Sequence, residues 1–433
     1  MTKTRQIAIV GGGIGGLCLA QGLHKAGVPV TVYERDRTPA DRLQGYRVHI
    51  DPHGARALHD CLPPSLWQAF LDTTGSGGQD FGFVTERLRT LLVFTAPTVA
   101  DPADDHHSAS RITLRQVLLS GLDDVVRFGK TYERYERLPD GRTRLFFADG
   151  TSETADIVVG ADGGNSRVRR QYLPHARRVD TGITTVAGKF PLTPENRKLL
   201  ARRLLDGPNT VIPPKGIGMF TAPHDLDGSP VAATAGGTRA AGGVGGVGGI
   251  GVTEQEGALM DNSSSYLLWA VGAAAGRFPS GLSEMPGEQL QAAVAQMIRS
   301  WHPDLRRIVD LSHPDTVSLL PIRTSIPVDP WQADTITLLG DAIHSMTPMA
   351  GIGANTALRD ARLLCAALTS GGDPVAAIAR YEEQMREYGF AAVRGSLRSA
   401  RQFVGNSWAA RLGFKTFLRA AERVPALKAR MSS

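Results

Sequence analysis

From Ile7 the chain reads IAIVGGGIGGLCLAQG, and this stretch constrains the fold more than any other. Ile7 to Val10 is a short apolar run of the kind that forms a buried parallel strand. Gly11, Gly13 and Gly16 then follow in G-x-G-x-x-G spacing. The first permits a sharp turn, the second lets backbone approach a pyrophosphate, and the third lets a helix pack close to the strand. Leu17 to Ala26 continue as that helix, whose N-terminal amides and dipole face an anion. A second strand, Val28 to Tyr33, ends at Glu34, where a ribose hydroxyl needs an acceptor. Strand, helix, strand and acid in register predict an adenine dinucleotide site. The bare spacing is worth little. Gly246, Gly248 and Gly251 repeat it inside GGVGGVGGIGV, with no apolar strand before it and no helix or acid after it. That run, from Gly236, reads as a flexible loop between two strands.

Lys3 and Arg5 ahead of an apolar run imitate a secretory leader, but no small-residue cleavage site follows cleanly. Gln21, His24 and Lys25 break the run well short of the about 20 apolar residues a membrane span takes. The expectation is a soluble chain with no membrane partner. A length of 433 residues predicts two or more domains sharing an interface. With 42% hydrophobic and 21% charged residues, disorder is not the default. Cys18, Cys61 and Cys365 are widely spaced, match no metal pattern and make no disulfide framework, which fits a reducing cytoplasm. The net charge of +6 gathers late, from Arg386 through Arg398, Arg401, Arg411, Arg419 and Arg423 to Lys428. This reads as a solvated helical face, or as an attraction for anionic cofactors or partners. No nucleic-acid-binding motif accompanies it.

Two later stretches repeat the logic of the first. In ADIVVGADGGNSRVRR, the strand Ile157 to Val159 ends in Gly160-Ala161-Asp162-Gly163, and RTRLFFADGTSETADIVV ahead of it reads as a hairpin turning at Asp149-Gly150. In ITLLGDAIHSMTPMAGIGANTALRD, the strand Ile336 to Leu339 ends in Gly-Asp, a loop with Pro348, Gly351 and Gly353 follows, and a helix begins near Ala354. An acid at the end of a parallel strand points into the ligand crevice. Asp341 suits sugar-like hydroxyls, and a helix start near Gly353 offers free N–H groups to an anion.

In this order, and spanning most of the chain, the three signatures resemble those of the group A flavoprotein monooxygenases, the para-hydroxybenzoate hydroxylase class. The resemblance implies an α/β fold: a Rossmann-like FAD-binding domain, discontinuous in sequence, with a mixed-sheet substrate domain and C-terminal helices. We expect the first part of the FAD domain over residues 1–175, with a substrate-domain excursion near 76–100. The substrate sheet is expected over 176–282, the return segment over 283–375 and a helical region over 376–433. Carried over by position, Gly11, Gly13 and Gly16 would cradle the FAD pyrophosphate, Glu34 would hold the ribose, and Arg35 would lie near the adenosine. Arg111 matches an arginine the family uses on FAD, and Arg42 is a further candidate for the pyrophosphate. Asp162 and Gly163 match a motif tied to FAD and the nicotinamide cofactor. Asp341 would bind the ribityl chain, Pro348 would flank the isoalloxazine ring, and Gly351, Gly353 and Asn355 would close the loop around it. The implied reaction takes electrons from NADPH or NADH and delivers one oxygen atom of O2, through a flavin hydroperoxide, to an electron-rich, hydrophobic aromatic or polycyclic small molecule.

No Ser-His-Asp set, metal cluster or catalytic cysteine motif stands out, which fits a protein whose cofactor carries the chemistry. In RLQGYRVHIDPHG, alternation puts Tyr46, Val48 and Ile50 on one side of a strand and Arg47, His49 and Asp51 on the other. Arg47 is the candidate for contact with flavin or substrate, and His49 for a substrate ligand or proton relay; Pro348 completes the catalytic set. His344 beside the Gly-Asp turn reads as structural. DTGITTVAGKFPL, NTVIPPKGIGMFTAP, SPVAATAGG and SSYLLWAVGA read as strands of the substrate sheet, with MFTAP and LLWAV offering pocket surface. That wall is mostly apolar and suggests a bulky hydrophobic substrate. From Pro374 onward the pattern is one long amphipathic helix packing across both domains. A monomer or homodimer is expected. Baeyer–Villiger or epoxidising chemistry, a flavin-dependent reductase, or a non-catalytic flavin-binding protein are the alternatives.

Overall fold

The strand β1 (Ile7–Val10) is buried along its whole length and sits at the centre of a parallel sheet. The helix α1 (Ile14–Lys25) returns the chain to β2 (Val30–Tyr33), which pairs with β1 in parallel. Across the sheet the strands run Ile336–Leu338, Ile157–Gly160, β1, β2 and Val126–Arg127, all parallel. The chain goes outward from β1 on one side and then resumes on the other. This makes a crevice at the carboxyl ends of β1 and Ile157–Gly160, where open α/β sheets bind ligands. The computed structural model describes residues 5–39, 47–75, 80–95, 99–226 and 264–432, so Arg42, Tyr46, the strand expected over 229–237 and the glycine run from Gly236 lie outside the described residues. The hairpin turns at Gly150, with Thr143–Phe147 paired to Ser152–Ala155.

A second, mixed sheet has seven strands in the order Ser318–Ser325, Arg178–Pro191, Tyr266–Ala274, Ile217–His224, Asn209–Val211, Asp80–Val84 and Thr90–Thr95. Its pairings are antiparallel except between Asn209–Val211 and Asp80–Val84. One face packs on the helices Gly287–Met297 and Pro303–Asp310 through Met219, Trp269, Val271, Ile308 and their neighbours. The other face carries Thr185, Ala187, Phe220, Leu268, Ala270 and Leu320 into a cavity. The two-residue period therefore divides the stretches expected to wall the pocket. Trp269 lies on the helix side, fully buried, with its indole N–H donating to Ser312 Oγ at 2.7 Å.

The helix Pro374–Phe403 ties the two sheets together, as its pattern predicts. Near its start the Tyr381 hydroxyl donates to the Leu338 carbonyl at 3.0 Å. Further along, Thr347 Oγ1 donates to the Ser396 carbonyl at 2.8 Å. At its end Phe403 lies on the cavity face of the seven-stranded sheet, where a Cβ added at Gly218 would stand 2.8 Å from its ring. The helix Trp408–Arg423 then lies against Thr90–Thr95. Arg411 secures it. Its guanidinium donates to the carbonyls of Pro213, Ile217, Phe403 and Gly405 at 2.6 to 3.0 Å.

Candidate active site

The turn after β1 is shaped by two close approaches. Gly11 has φ +113°, and a Cβ there would meet the Ala161 carbonyl at 2.4 Å; one at Gly16 would meet the Gly11 carbonyl at 2.2 Å. Gly13 faces open space, with nothing within 4 Å of an added Cβ. Glu34, buried at the end of β2, braces this turn. One carboxylate oxygen accepts the Gly12 amide at 2.5 Å and the other accepts the Asp36 amide at 3.0 Å, leaving each oxygen a second lone pair. Arg35 is exposed beside it. Arg111 starts the helix Arg111–Leu119 and lines the cavity. Arg115, one turn later, was not anticipated. Its side chain donates to the carbonyls of Gly12 at 3.2 Å and Pro39 at 2.6 Å, and lies 3.5 Å from Asp36. Its position four residues after Arg111 was the available signal, since both then share a helix face.

Asp162 caps the helix Arg167–Tyr172. One oxygen accepts the amides of Arg167 at 2.7 Å and Val168 at 3.2 Å, and the other is buried with no partner. Burial raises its pKa against those hydrogen bonds. Gly163, at φ +76°, lines the cavity beside it. Asp341 opens a short helical turn at the cavity wall. The turn is fastened from below. Asp360, fully buried, accepts the Gly340 amide at 2.7 Å and the His344 ring at 2.6 Å on one oxygen, and the Tyr388 hydroxyl on the other. Burial alone would lower the His344 pKa, but the charge and hydrogen bond of Asp360 raise it overall. Pro348 and Gly351 line the same wall, followed by the helix Gly353–Thr369, whose N-terminus no side chain caps.

Asn355, expected to close the loop around the ring, does not line the cavity, and its amide reaches the Gly351 carbonyl of that loop at 3.5 Å. Its amide donates to the His49 carbonyl at 2.8 Å and its oxygen accepts the Asp51 amide at 3.0 Å, clamping the strand Arg47–Ile50 to this helix. Asp51 also departs from the alternation pattern. It caps the helix Pro52–Cys61, accepting the Gly54 amide at 3.0 Å, because the strand ends at Ile50. Arg47 and His49 line the cavity. Arg47 Nε donates to Ser108 Oγ at 2.7 Å, and the same Oγ is hydrogen-bonded with His224 Nδ1, 2.9 Å away. Burial lowers the Arg47 pKa to about 10, which leaves it cationic at neutral pH. His49 Nε2 lies 3.0 Å from His106 Nδ1, and burial together with the Arg47 charge pushes its pKa down to about 3.

One cavity of about 1320 Å³ runs from Gly13 to Gly16 past Arg111, Arg47 and Asp341 to an apolar chamber; Glu34, Arg35, Asp162 and Asn355 do not line it. Phe81, Phe83, Phe94, Phe220, Phe403 and Phe414 line that chamber. It exceeds the roughly 300–1,000 Å³ of common small-molecule sites. No group of three metal-ligating side chains is found among the described residues.

Residues 288–396 match the FAD binding domain family and residues 9–74 the NAD(P)-binding Rossmann-like domain family. The chain is 36% identical to a protein of Photorhabdus luminescens subsp. laumondii solved as an FAD-containing monooxygenase, with TM-score 0.78 over 92% of this chain and 98% of that one. It belongs to the FAD-dependent monooxygenases. The dual O-methyltransferase/FAD-dependent monooxygenase CTB3 of Cercospora beticola is 31% identical over 88% of this chain. The chain spans 44% of that relative's length. The 6-hydroxynicotinate 3-monooxygenase of Bordetella bronchiseptica is 27% identical over 88% of each chain. The solved structure of Klebsiella pneumoniae HpxO with FAD and uric acid, 21% identical with TM-score 0.74, shares the fold.

The residues of this monooxygenase fit FAD. The open space at Gly13, the uncapped helix at Gly353 and the acid at the Gly340 turn are an anion cradle, an anion-facing dipole and a hydroxyl acceptor along one cavity.

Proposed function

We propose that this protein is an FAD- and NAD(P)H-dependent monooxygenase that hydroxylates a hydrophobic aromatic or polycyclic substrate. The observation that carries this is the single cavity joining the dinucleotide turn to a phenylalanine-lined chamber, with Arg47 and His49 between them. In this reading residues 1–175 and 283–375 hold the dinucleotide. Residues 176–282, with the excursion near 76–100, form the substrate sheet, and 376–433 close it in a reducing cytoplasm.

Bound FAD supplies activation of O2 with electrons from NAD(P)H. Everything else falls to the chain. The amides after Gly13 and the side chains of Arg111 and Arg35 hold the phosphates and adenosine end, and Glu34 and Asp341 accept sugar hydroxyls. Pro348 and Gly351 would hold the ring, and the dipole of the helix from Gly353 would favour negative charge there. The phenylalanine wall excludes water, which strengthens each electrostatic contact inside. Arg47, held by Ser108, offers its remaining N–H groups to a phenolic or carbonyl oxygen of the substrate. His49, kept neutral, accepts or donates a hydrogen bond without adding charge.

The test is NAD(P)H consumption by the FAD-loaded protein across phenols, indoles and polycyclic aromatic compounds under labelled O2, with products read by mass spectrometry. One labelled oxygen in a product establishes the reading. An FAD-loaded protein that oxidises no NAD(P)H with any compound overturns it.

A further inference from the structure

Four of the eight large apolar side chains exposed among the described residues belong to one stretch: Trp408 at 66%, Leu412 at 52%, Phe417 at 42% and Val424 at 48%. Trp408, Leu412 and Phe417 lie on the helix Trp408–Arg423, and Val424 directly follows it. At about 100° per residue, its inward side carries Arg411, Phe414, Lys415, Leu418 and Ala421, against the cavity and the seven-stranded sheet. The opposite half-cylinder carries the exposed apolar side chains, with Ala409, Thr416 and Ala420 between them. Its only charges are Arg419 and Arg423. Glu422 points away from it, bonded to the Val93 amide at 3.2 Å and to Lys428 at 3.0 Å.

We propose that this helix face rests on an anionic lipid surface. Charge selects the occupant. Arg394, Arg398 and Arg401 are also exposed on the preceding helix, so a second copy would bring like charges together, whereas an anionic headgroup layer matches them. A helix with one broad apolar half, a tryptophan at its edge and arginine stems that reach back to water has the form of one lying in a bilayer surface. This is surface contact and not a crossing; no described helix is long and apolar enough to span a membrane. The position has a use. Ser407 and Ala410, beside Trp408, line the cavity, which puts the helix face next to the chamber an apolar compound would occupy.

Sedimentation of the FAD-loaded protein with vesicles tests this independently of turnover. It is expected to pellet with phosphatidylcholine vesicles containing phosphatidylglycerol, to stay in solution with phosphatidylcholine alone, and to be released by raised salt. The pairs W408S/L412S and R419E/R423E, all at exposed positions, should each weaken binding at least tenfold while the protein stays yellow and keeps its urea midpoint. No pelleting with the anionic vesicles, or pelleting that neither pair reduces, overturns the proposal. A dimer in free solution that W408S/L412S converts to a monomer also overturns it and assigns the face to a second copy.

Discussion

In the proposed reading, Asp341 and Arg47 divide the labour of the site in ways that single substitutions separate. Asp341 stands at the wall where a sugar-like chain needs an acceptor, so Asp341→Ala should lose bound FAD, read as the flavin-to-protein absorbance ratio after gel filtration. Full yellow colour in that variant would remove Asp341 from the cofactor site. Arg47 sits farther along the cavity, its Nε held by Ser108 among the described residues. Arg47→Ala should keep FAD but cut coupled product formation roughly tenfold or more, the scale of a lost charged hydrogen bond of about 1.5–3 kcal/mol. NAD(P)H oxidation would persist, with peroxide in place of product. Coupling equal to wild type would make Arg47 a bystander.

Elements record a second kind of constraint, in groups far from the cavity. Glu382 lies fully buried on the helix Pro374–Phe403, accepting the Thr337 hydroxyl at 2.8 Å on one oxygen with no partner on the other. Burial raises its pKa to about 7 from 4.5. Between those values the unfolded chain releases a proton that the folded protein keeps. Stability from this group is therefore full below the lower value and drains away as pH rises through the higher one. Glu382→Gln should flatten that slope and stabilise the protein at pH 8 by roughly 2 kcal/mol, read from urea unfolding at several pH values. A variant no more stable at pH 8 than wild type would refute the buried proton.

Legibility followed sequence distance. The turn of Gly11, Gly13 and Gly16 is local, so its strand and helix could be read directly. Asp51 broke its pattern because a helix cap three residues from Gly54 ended the strand early. Asn355 clamps backbone some 300 residues away, and His106 meets His49 only because the strand Arg47–Ile50 pairs with His107–Ser110. Such pairings leave no periodic trace. The facing of Trp269 needed a register that only the folded sheet supplies.

For the whole molecule, the decisive joint is Arg411. It is a nearly buried cation whose hydrogen bonds go to four backbone carbonyls. Arg411→Met keeps the packing but strands those oxygens. Unsatisfied buried acceptors cost about 1–3 kcal/mol each, so a loss of around 3 kcal/mol in urea unfolding is expected. Lys should not rescue it, since it lacks the planar fork that reaches several carbonyls at once. A variant of wild-type stability would show the helix is held by packing alone.

The phenylalanines of the chamber come from three places in the chain: Asp80–Thr95, the strand Ile217–His224, and the helices after Pro374. The dinucleotide turn, Glu34 and Asp341 belong to none of these. In the proposed reading, the parts that grip the cofactor and the parts that shape the substrate's space are therefore different stretches of the chain, alternating along it. Substitution in the second set would then redirect the substrate while the first is carried forward unchanged.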